Sequence, residues 1–375
     1  MADTIARQAF AAGGDAEALA SALVEQLRAP GLQIAFVFGD HRLDPVALAG
    51  MHRALGAPVI GGLGSGVIGP AHGDGPAAVA LGLYGDGIRA GIGVATELSR
   101  AALARSGDAV QRAAAALDTT ADALDPGRHI AITLIDGRDD QVEAFCIGSA
   151  AAAPRIRFIG GCTSTAGGPG SPCMWANGEL LADAGLVVVL DSDHPFHAVT
   201  SAHLVPTELK TVVTAVSGRM VEELDGRPAA PRLRQLLAGI GDRLDEPRPS
   251  HAFARYLDGV PYVRSLHRIV GDHLELTCAV ELGHVLRVMR PGDLIGTTRR
   301  DLTTAATRAG GSVAALLVFS NLCRHAEARA RGTDADLAAV YAGCRAVGLH
   351  TQSEQSGMLL VNHTMTGLAI GALKP

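Results

Sequence analysis

The chain has 375 residues, of which 48% are hydrophobic and only 3% aromatic, and its formal net charge is −6. The interspersed charges argue against a nucleic-acid surface, and the few aromatic residues leave little for bases to stack on. No apolar stretch approaches the roughly 20 residues of a membrane-spanning helix. No cationic segment followed by an apolar block opens the chain. We therefore expect a cytoplasmic protein of two or three domains, with no membrane or nucleic-acid partner.

The first predicted unit begins with a buried strand from Ile34 to Asp40, which is rich in β-branched and aromatic residues. A helical pattern follows over residues 45–55. The stretch VIGGLGS, from Val59 to Ser65, then predicts a strand that ends in a glycine turn. Residues 77–95 predict two strands joined as a hairpin, in which Asp86-Gly87 forms the tight turn.

This order of elements returns twice along the chain. The second copy comprises a strand at 130–137, a helix at 141–150, the stretch FIGGCTS at 158–164 and a strand pair within 178–202. The third comprises a strand at 314–321, a helix at 334–346, a turn at 347–355 and a last strand region at 357–371. A period of about 100 residues between the first two copies indicates duplicated supersecondary units rather than a solenoid. We predict an α/β (mixed α+β) fold of two modules, built from duplicated strand–helix–strand–hairpin units, with mixed sheets covered by helices.

Residues 209–291 do not follow the repeat. They predict two strands joined by a turn, a helix that Pro228 would start, and then a β meander with a Gly-Asp turn. Prolines and charges come together near residues 246–250, as in an exposed linker. We therefore place a domain boundary there, giving one domain of residues 1–248 and another of residues 249–375.

Several short motifs, taken in order, resemble the FIST family. PVIGGLGSGVIG at 58–69 is similar to the family's Gly-Cys-Ser-Ala-Gly-Glu turn, and VTAVSGRMVEELDGRPA at 213–229 to its Leu-Asp-Gly-x-Pro-Ala signature. AALLVFSN at 314–321 and VGLHTQSEQSGMLLVNHTMT at 347–366 are similar to its C-terminal strand, turn and final Asn-x-Thr. The turn has Ser353-Glu354 where the family has Gly-Glu, and the acidic residue of the first turn is missing.

The resemblance implies a FIST N-terminal and a FIST C-terminal module in a stand-alone bacterial sensory protein. Members of this kind bind small ligands and pass a signal to a partner. Some bind haem, respond to nitric oxide and act with a histidine kinase in a two-component system. The resemblance therefore implies a small-molecule ligand, a histidine kinase partner and a candidate haem cofactor.

The two glycine turns are the first candidate ligand site. Paired glycines let backbone amides approach a ligand closely, and the following Ser, Cys or Thr adds a polar side chain. The candidates are Gly62, Ser65, Gly161, Cys162 and Thr163. The alternative is that each turn is a structural corner. The GxSxG-like stretch around Ser65 lacks the full spacing of a nucleophile elbow, so no hydrolase is assigned.

A histidine-rich segment, DSDHPFHAVTSAH, contains His194, His197 and His203. Histidine is the commonest ligand of zinc and of haem iron. Pro195 excludes the helical spacing in which two histidines would share one metal. These three residues are candidate haem or metal ligands, and a solvated loop is the alternative.

A cluster of polar residues near the C-terminus is the strongest candidate for ligand contacts. His350, Gln352 and Glu354 would share one face of a strand, and Asn362 and Thr364 one face of the next. Such groups could line a pocket for a small polar ligand. The alternative is a face of the sheet that contacts water.

Two arginines and two cysteines complete the candidates. Arg264 and Arg324 could pair with a carboxylate or a haem propionate through a bidentate fork, although a surface position is the alternative. Cys162 and Cys323 lie beside a glycine turn and a strand end. None of the six cysteines has the two-residue spacing of a zinc or redox motif, so we expect reduced and mostly buried thiols.

The sequence favours a cytoplasmic small-ligand-binding sensor, haem-bound in the narrower version, which signals to a partner kinase and could act as a homodimer. The central hypothesis is that the polar corners of the units meet in space and enclose a ligand. One alternative is an enzyme, with or without haem, that acts on a small metabolite in the cleft between the two domains. The other is a docking module without a ligand. An acid–base pair or metal signature that would favour the enzyme does not stand out.

Overall fold

A computed structural model describes residues 5–70, 75–137, 141–164, 166–167, 170–244, 250–257 and 259–372. Within this part of the chain the mixed α/β class predicted from the sequence is confirmed. The helices are α1 (Ala16–Leu27), α2 (Pro45–Leu55), α3 (Leu98–Ala115), α4 (Val142–Ala152), α5 (Ala229–Ala238), α6 (Leu294–Arg308), α7 (Leu322–Ala330) and α8 (Asp334–Gly343).

Three units of the same layout form most of the molecule. The first contains β1 (Ala6–Ala12), β2 (Leu32–Asp40), β3 (Val59–Gly64), β4 (Val67–Ile68) and β5 (Ala77–Tyr84), with α1 and α2. The second contains β6 (Ile88–Thr96), β7 (His129–Asp136), β8 (Arg157–Thr163), β9 (Met174–Ala176), β10 (Glu179–Leu181) and β11 (Ala184–Ser192), with α3, α4 and a short 3₁₀ turn at Ala121–Ala123. The third contains β12 (Phe196–Ala202), β20 (Val313–Asn321), β21 (Ala346–Thr351), β22 (Glu354–Ser356), β23 (Leu359–Val361) and β24 (Thr364–Gly371), with α6, α7 and α8.

The pairing of the long strands is the same in all three units. Two parallel strands joined by helical segments form the centre: β2 with β3, β7 with β8 and β20 with β21. The last long strand of each unit returns antiparallel to the first of these, and an outer strand adds antiparallel to it. Each four-strand core therefore has the order outer–last–first–second.

The two strand pairs predicted as hairpins are not hairpins. The strands β5 and β6 follow each other but lie in different sheets, and so do β11 and β12. Both edges of β5 are already occupied by β1 and β2, and both edges of β11 by β6 and β7. The next strand must therefore leave and become the outer strand of the following unit. At the first of these connections Gly85, with φ 88°, adopts the left-handed conformation that was predicted for Asp86-Gly87.

Short strands are exchanged between the units in a ring. The hairpin β9–β10 of the second unit pairs with β3 of the first, and the hairpin β22–β23 of the third pairs with β8 of the second. The short strand β4 of the first unit pairs with β21 of the third. All three units thus interlock at the ends of their second central strands, where the glycine turns lie.

One apolar core is shared by the three sheets. It contains Phe36 and Phe38 from the first unit, Ile132 from the second and Phe319 from the third. The rings of Phe38 and Phe319 meet edge to face, with centroids 5.8 Å apart. The outer face of each sheet buries a second apolar layer under its own helices. The sheets therefore alternate with helices as layers around a common centre.

The residues between β12 and α6 form a separate β structure. It contains β13 (Val205–Ser217), β14 (Met220–Leu224), β15 (Arg227–Pro228), β16 (Ala252–Leu257), β17 (Val260–Val270), β18 (His273–Leu276) and β19 (Val285–Arg290), together with α5. The strand order is β13-β19-β16-β17-β18-β14-β15, and β13 also pairs with β14. This additional pairing closes six antiparallel strands into a ring around a core that includes Phe253 and Leu276. We call it the inserted barrel.

The helices α1, α6 and α7 each begin just after a residue whose side chain caps the helix N-terminus. The carboxylate of Asp15 accepts a hydrogen bond from the backbone N–H of Ala18 in α1, and Asp293 does the same for Gly296 in α6. The side chain of Asn321 likewise caps α7. Within the described residues, no helix combines the length and the apolar character needed to span a bilayer.

The predicted domain boundary at residues 248 and 249 lies outside the described residues and stays a prediction. Among the described strands, five pairings join its two sides: β12 with β24, β8 with β22, β4 with β21, β13 with β19 and β14 with β18.

Candidate functional site

The corners of the three units meet through backbone hydrogen bonds. The N–H of Ser164 in the second unit donates to the carbonyl of Leu63 in the first, at 2.8 Å. The N–H of Cys162 donates to the carbonyl of Ser353 in the third unit, also at 2.8 Å. The ring closes where the N–H of Ser65 donates to the carbonyl of His350, at 3.0 Å. The convergence that the sequence hypothesis requires is therefore present.

Gly62 and Gly161 make this close approach sterically feasible. A Cβ atom at Gly62 would lie 2.5 Å from Cγ2 of Thr163, and one at Gly161 would lie 2.5 Å from Cγ2 of Thr351. Each glycine thus receives a threonine from the neighbouring unit. Both positions have a packing role between units, and ligand binding by their backbone stays a prediction.

The polar side chains of the turns divide between interior and solvent. Thr163 is buried, and its hydroxyl donates to the carbonyl of Ile135 at 3.1 Å. Burial raises the pKa of the Cys162 thiol well above its usual range, so this cysteine is a neutral thiol rather than a nucleophile or a thiolate ligand. Ser65 is exposed beyond the end of β3.

Glu354 lies at the centre of a buried polar cluster. One carboxylate oxygen accepts hydrogen bonds from Thr351 at 2.7 Å and from Asn321 at 3.1 Å, and the other accepts from Thr364 at 2.8 Å. Burial raises the pKa of Glu354 to about 8, although these hydrogen bonds act in the opposite direction. The predicted pair Glu354 and Thr364 is thus brought together, inside the protein.

The predicted common face of His350, Gln352 and Glu354 does not exist. The strand β21 ends at Thr351, the chain bends, and Glu354 begins β22 in the sheet of the second unit. His350 instead stacks on His325, with ring centroids 4.6 Å apart. The strand changes sheets within three residues, so the alternation rule cannot apply across the bend.

Asn362 joins the third unit to the inserted barrel. Its side-chain oxygen accepts hydrogen bonds from the hydroxyl of Thr277 and from the thiol of Cys278, the latter at 2.7 Å. Its amide nitrogen donates to the hydroxyl of Ser353 at 2.8 Å. The next residue, His363, has φ 55°, a left-handed conformation that a non-glycine residue rarely adopts. His363 lies between β23 and β24, next to the contact that Asn362 makes with the inserted barrel. Strained backbone of this kind is often found at functional sites.

A second buried cluster contains Arg324, one of the predicted site residues. Its guanidinium donates to the hydroxyl of Thr298 at 2.6 Å and to the carbonyl of Ser201 at 3.4 Å. It also lies 3.4 Å from Nδ1 of His203. Arg324 is completely buried, so neither a surface position nor an exposed ligand contact describes it.

His203, Glu327 and His363 form the one group among the described residues whose ligand atoms could surround a metal ion, lying within 4.8 Å of one another. The distances from Glu327 Oε2 to Nε2 of His203 and of His363 are 2.8 and 3.1 Å. Because the guanidinium of Arg324 can only donate, Nδ1 of His203 must accept, and the ring proton then lies on Nε2. That proton points to Glu327, which favours a hydrogen-bonded cluster over a metal site.

The charges of this cluster agree with that assignment. Burial lowers the pKa of His203 to about 4, so the ring is neutral at pH 7. Burial alone would raise the pKa of Glu327, but the hydrogen bonds from His203 and His363 outweigh it and lower that pKa to about 2. Arg331 adds an ion pair to the same carboxylate, at 3.1 Å.

The three predicted metal histidines lie in different surroundings. His203 belongs to the cluster with Glu327, whereas His194 is buried beside Gly87. His197 lies on β12 with Nε2 3.5 Å from Arg308. Arg264, on β17, donates to the carbonyl of Val263. Their roles toward haem, a metal or a ligand stay predictions.

A cavity of about 220 Å³ lies where the second and third units meet the inserted barrel. We call it the junction cavity. The units contribute Gly137, Val142, Leu322, Cys323, Gln352, Ser353 and Leu360, and the barrel contributes Arg219, His267, Glu275, Leu276 and Thr277. Of the residues predicted as ligand contacts, Gln352 lines this cavity, and so does Cys323. Sequence reasoning missed the barrel residues because they come from separate strands without a shared motif.

Comparison with known proteins agrees with the earlier resemblance for the first part of the chain. Residues 33–227, just over half of the chain, match the FIST N domain. The chain belongs to the FIST family. FIST domains are sensory domains that bind small ligands, whereas the C-terminal FIST module stays a prediction.

No curated protein is similar enough in sequence to be matched. Among solved structures, the chain is similar to one titled as a cyanuic acid hydrolase from A. caulinodans, with 12% sequence identity and a TM-score of 0.37. The alignment covers 98% of this chain and 99% of that one. At this score the likeness carries no conclusion about the chemistry of the FIST protein.

Proposed function

We propose that this FIST protein is a sensor that binds a small polar ligand in the junction cavity. The observation that carries the proposal is the position of the cavity: it is bordered by the converging corners of two units and by the inserted barrel. A ligand there would contact three parts of the molecule at once. Binding could therefore change how the barrel packs on the units, as a sensor requires.

The lining indicates the chemistry of the ligand. Arg219 and His267 supply basic groups, while Gln352, Ser353 and Thr277 supply hydrogen-bonding groups, with leucine and valine side chains around them. The volume lies below the roughly 300–1,000 Å³ of pockets for drug-sized molecules. We infer a compact metabolite with an anionic group and at least one hydrogen-bonding group.

Asn362 gives this cavity a route to the rest of the fold. It bonds Thr277 on the barrel side and Ser353 on the unit side, and both of these residues line the cavity. A ligand that takes over the hydrogen bond of Thr277 or of Ser353 would free Asn362 from that residue. The strained His363 and its bond to Glu327 follow directly along the chain.

A partner histidine kinase, a cytoplasmic location and a homodimer belong to the same proposal. Phosphorylation of a candidate kinase, measured with and without the FIST protein and its ligand, tests the first of these. An unchanged rate in all mixtures would contradict the kinase proposal.

Haem binding and a response to nitric oxide are kept as the narrower proposal. The residues of the junction cavity do not fit a haem, because a porphyrin is larger than a drug-sized ligand and the cavity is smaller than pockets for such ligands. Titration of the purified protein with hemin decides the matter through the Soret band. A stoichiometric, shifted band would support a haem protein, and a spectrum identical to free hemin would remove haem.

The ligand site is tested by calorimetric titration with amino acids and with short dicarboxylates as probes. His267→Ala should abolish binding of any amino-acid probe that binds the wild type, because it removes a basic group from the cavity wall. His273→Ala is the matched control, since His273 is exposed on β18 and does not line the cavity. Equal binding by wild type and His267→Ala would place the ligand elsewhere.

A further inference from the structure

A second and larger cavity lies at the opposite ends of the same strands. It has a volume of about 540 Å³ and includes Ile130 at the start of β7 and Arg157 at the start of β8. Its other walls are β12 and α6, which contribute His197 and Arg308. The converging corners lie at the far ends of β7 and β8, so this cavity is separate from the junction cavity.

The charge of this cavity is unbalanced. Arg157 and Arg308 both line it, and neither forms an ion pair with a carboxylate among the described residues. The acid in the lining, Asp301, lies 3.4 Å from Arg300 on the same helix. Two arginines thus face a space in which the nearest negative charge is already paired.

His197 is held as a neutral acceptor between these arginines. Burial lowers its pKa, and the charges of Arg308 and Arg157 lower it further. Its Nε2 lies 3.5 Å from Nη1 of Arg308, so the guanidinium can donate to the ring. When an anion enters, Arg308 can redirect its donors to that anion, and the ring can take up a proton.

The backbone of β12 adds donors to the same cavity. Within the described chain this strand pairs with β24 alone, and the N–H of Gly371 donates to the carbonyl of Pro195 at 2.7 Å. In an antiparallel pair the bonded positions alternate, so residues 196, 198 and 200 direct their backbone groups away from β24. These are the residues that line the cavity together with His197.

One end of the cavity is closed by contact between units. The hydroxyl of Thr200 on β12 and that of Ser356 on β22 are 3.0 Å apart. This contact leaves no room for a partner strand to continue along the edge of β12. The space therefore suits a small molecule rather than an extended peptide.

We propose that this cavity is a binding site for a small organic anion that carries a phosphate or several carboxylates, held by Arg157, Arg308 and the free backbone donors of β12. Such oxygen-rich groups match the fork of the guanidinium. The site is independent of the ligand proposed for the junction cavity.

Calorimetric titrations at low salt with pyrophosphate and with citrate test the proposal. Arg157→Gln and Arg308→Gln should each weaken binding by about tenfold or more, the loss expected for one charge-assisted hydrogen bond. Arg299→Gln is the matched control, because this exposed arginine lies on the same helix but outside the cavity. His267→Ala should leave these titrations unchanged, which separates this site from the junction cavity.

Nuclear magnetic resonance of the His197 ring supplies a second readout. A bound anion should raise the pKa of His197, since it stabilises the protonated ring beside Arg157, Arg308 and Asp301. Which probe binds tells phosphate from carboxylate recognition. The proposal is overturned if neither probe binds, if Arg299→Gln weakens binding as much as Arg308→Gln does, or if the pKa of His197 stays unchanged on saturation.

Discussion

Replacement of Glu354 by glutamine should remove a pH dependence of stability from the centre of the molecule. The side chain is completely buried, and burial raises the pKa of Glu354 to about 8 in the folded protein, against an ordinary value of 4.5. Between these two values the unfolded chain is ionised while the folded protein holds the proton. Folding stability is therefore complete below pH 4.5 and is lost progressively as the pH rises to 8.

The magnitude follows from the proton linkage. One proton difference changes the free energy of unfolding by about 1.4 kcal/mol per pH unit, which gives about 3 kcal/mol between pH 6 and pH 8. Glu327, with a pKa of about 2, titrates below this window, and His203, whose pKa is lowered from 6.5 to about 4, contributes equally to wild type and variant and only near the lower end of the window. Glutamine has nearly the same size and does not ionise, so Glu354→Gln should be flat where the wild type loses stability.

The assay is urea unfolding followed by circular dichroism at several pH values from 6 to 8.5. The wild-type midpoint should fall across this range, and the Glu354→Gln midpoint should stay constant. Glu25→Gln, at an exposed position of α1, serves as the control and should keep the wild-type slope. A Glu354→Gln protein that loses stability with pH as steeply as the wild type would refute the assignment of a neutral buried Glu354.

Three further perturbations test the packing and the buried charges. Gly62→Ala should lower the free energy of unfolding by about 1–3 kcal/mol, because the new methyl group meets Thr163, while Gly50→Ala in α2 has open space and should melt at or above the wild-type temperature. Equal melting temperatures for the two would contradict the contact between units. Glu327→Ala should cost about 3–5 kcal/mol in chemical unfolding, since it removes the acceptor of His203 and His363 and the ion-pair partner of Arg331; a loss below 1 kcal/mol would argue against the buried cluster. In native protein at pH 8, a thiol reagent should label the partly exposed cysteines and not the buried ones, which the reagent cannot reach; mass spectrometry distinguishes Cys323 and Cys344 from Cys146, Cys162, Cys173 and Cys278.

The sequence was sufficient to find the three central strand–helix–strand patterns. Runs such as the one from Ile34 to Asp40 are apolar on both faces because helices cover one side of each sheet and the shared core covers the other. The strand β1 and the helices α1, α3 and α6 were not recognised as part of the repeat, and the outer strands β6 and β12 were assigned to the preceding unit. Their exposed faces are polar and differ from unit to unit, so little similarity remains in the letters.

The pairing of the strands was harder to predict from the sequence than the strands themselves. Local turn residues suggested a hairpin at Asp86-Gly87, but hydrogen-bonding edges that were already taken by other strands decided the outcome. Closure of the inserted barrel likewise depends on a pairing between β13 and β14 that adds to the linear strand order. Such constraints involve several distant segments at once.

The candidate site residues stay predictions, and the sequence could not show how they are arranged. Polar residues near the C-terminus were singled out as a cluster, but the bend after Thr351 sends Glu354 inward and leaves Gln352 at the cavity. Arg219, His267 and Thr277 carry no local pattern, and only the packing of the barrel on the units brings them to the same wall. The sequence does contain a signal for the burial of Arg324. Glu327 follows it three residues later, so the two opposite charges lie on the same side of α7.

The exchange of short strands has a consequence for synthesis on the ribosome. The segment that completes the second unit, β22–β23, and the strand that covers β12, β24, are translated after the other strands of the sheets they join. Until they emerge, the nascent chain carries open sheet edges that can join to other chains. We expect a stop codon placed before β22 to yield aggregates rather than a smaller working protein, and the newborn polypeptide to depend on chaperones until β24 has been made.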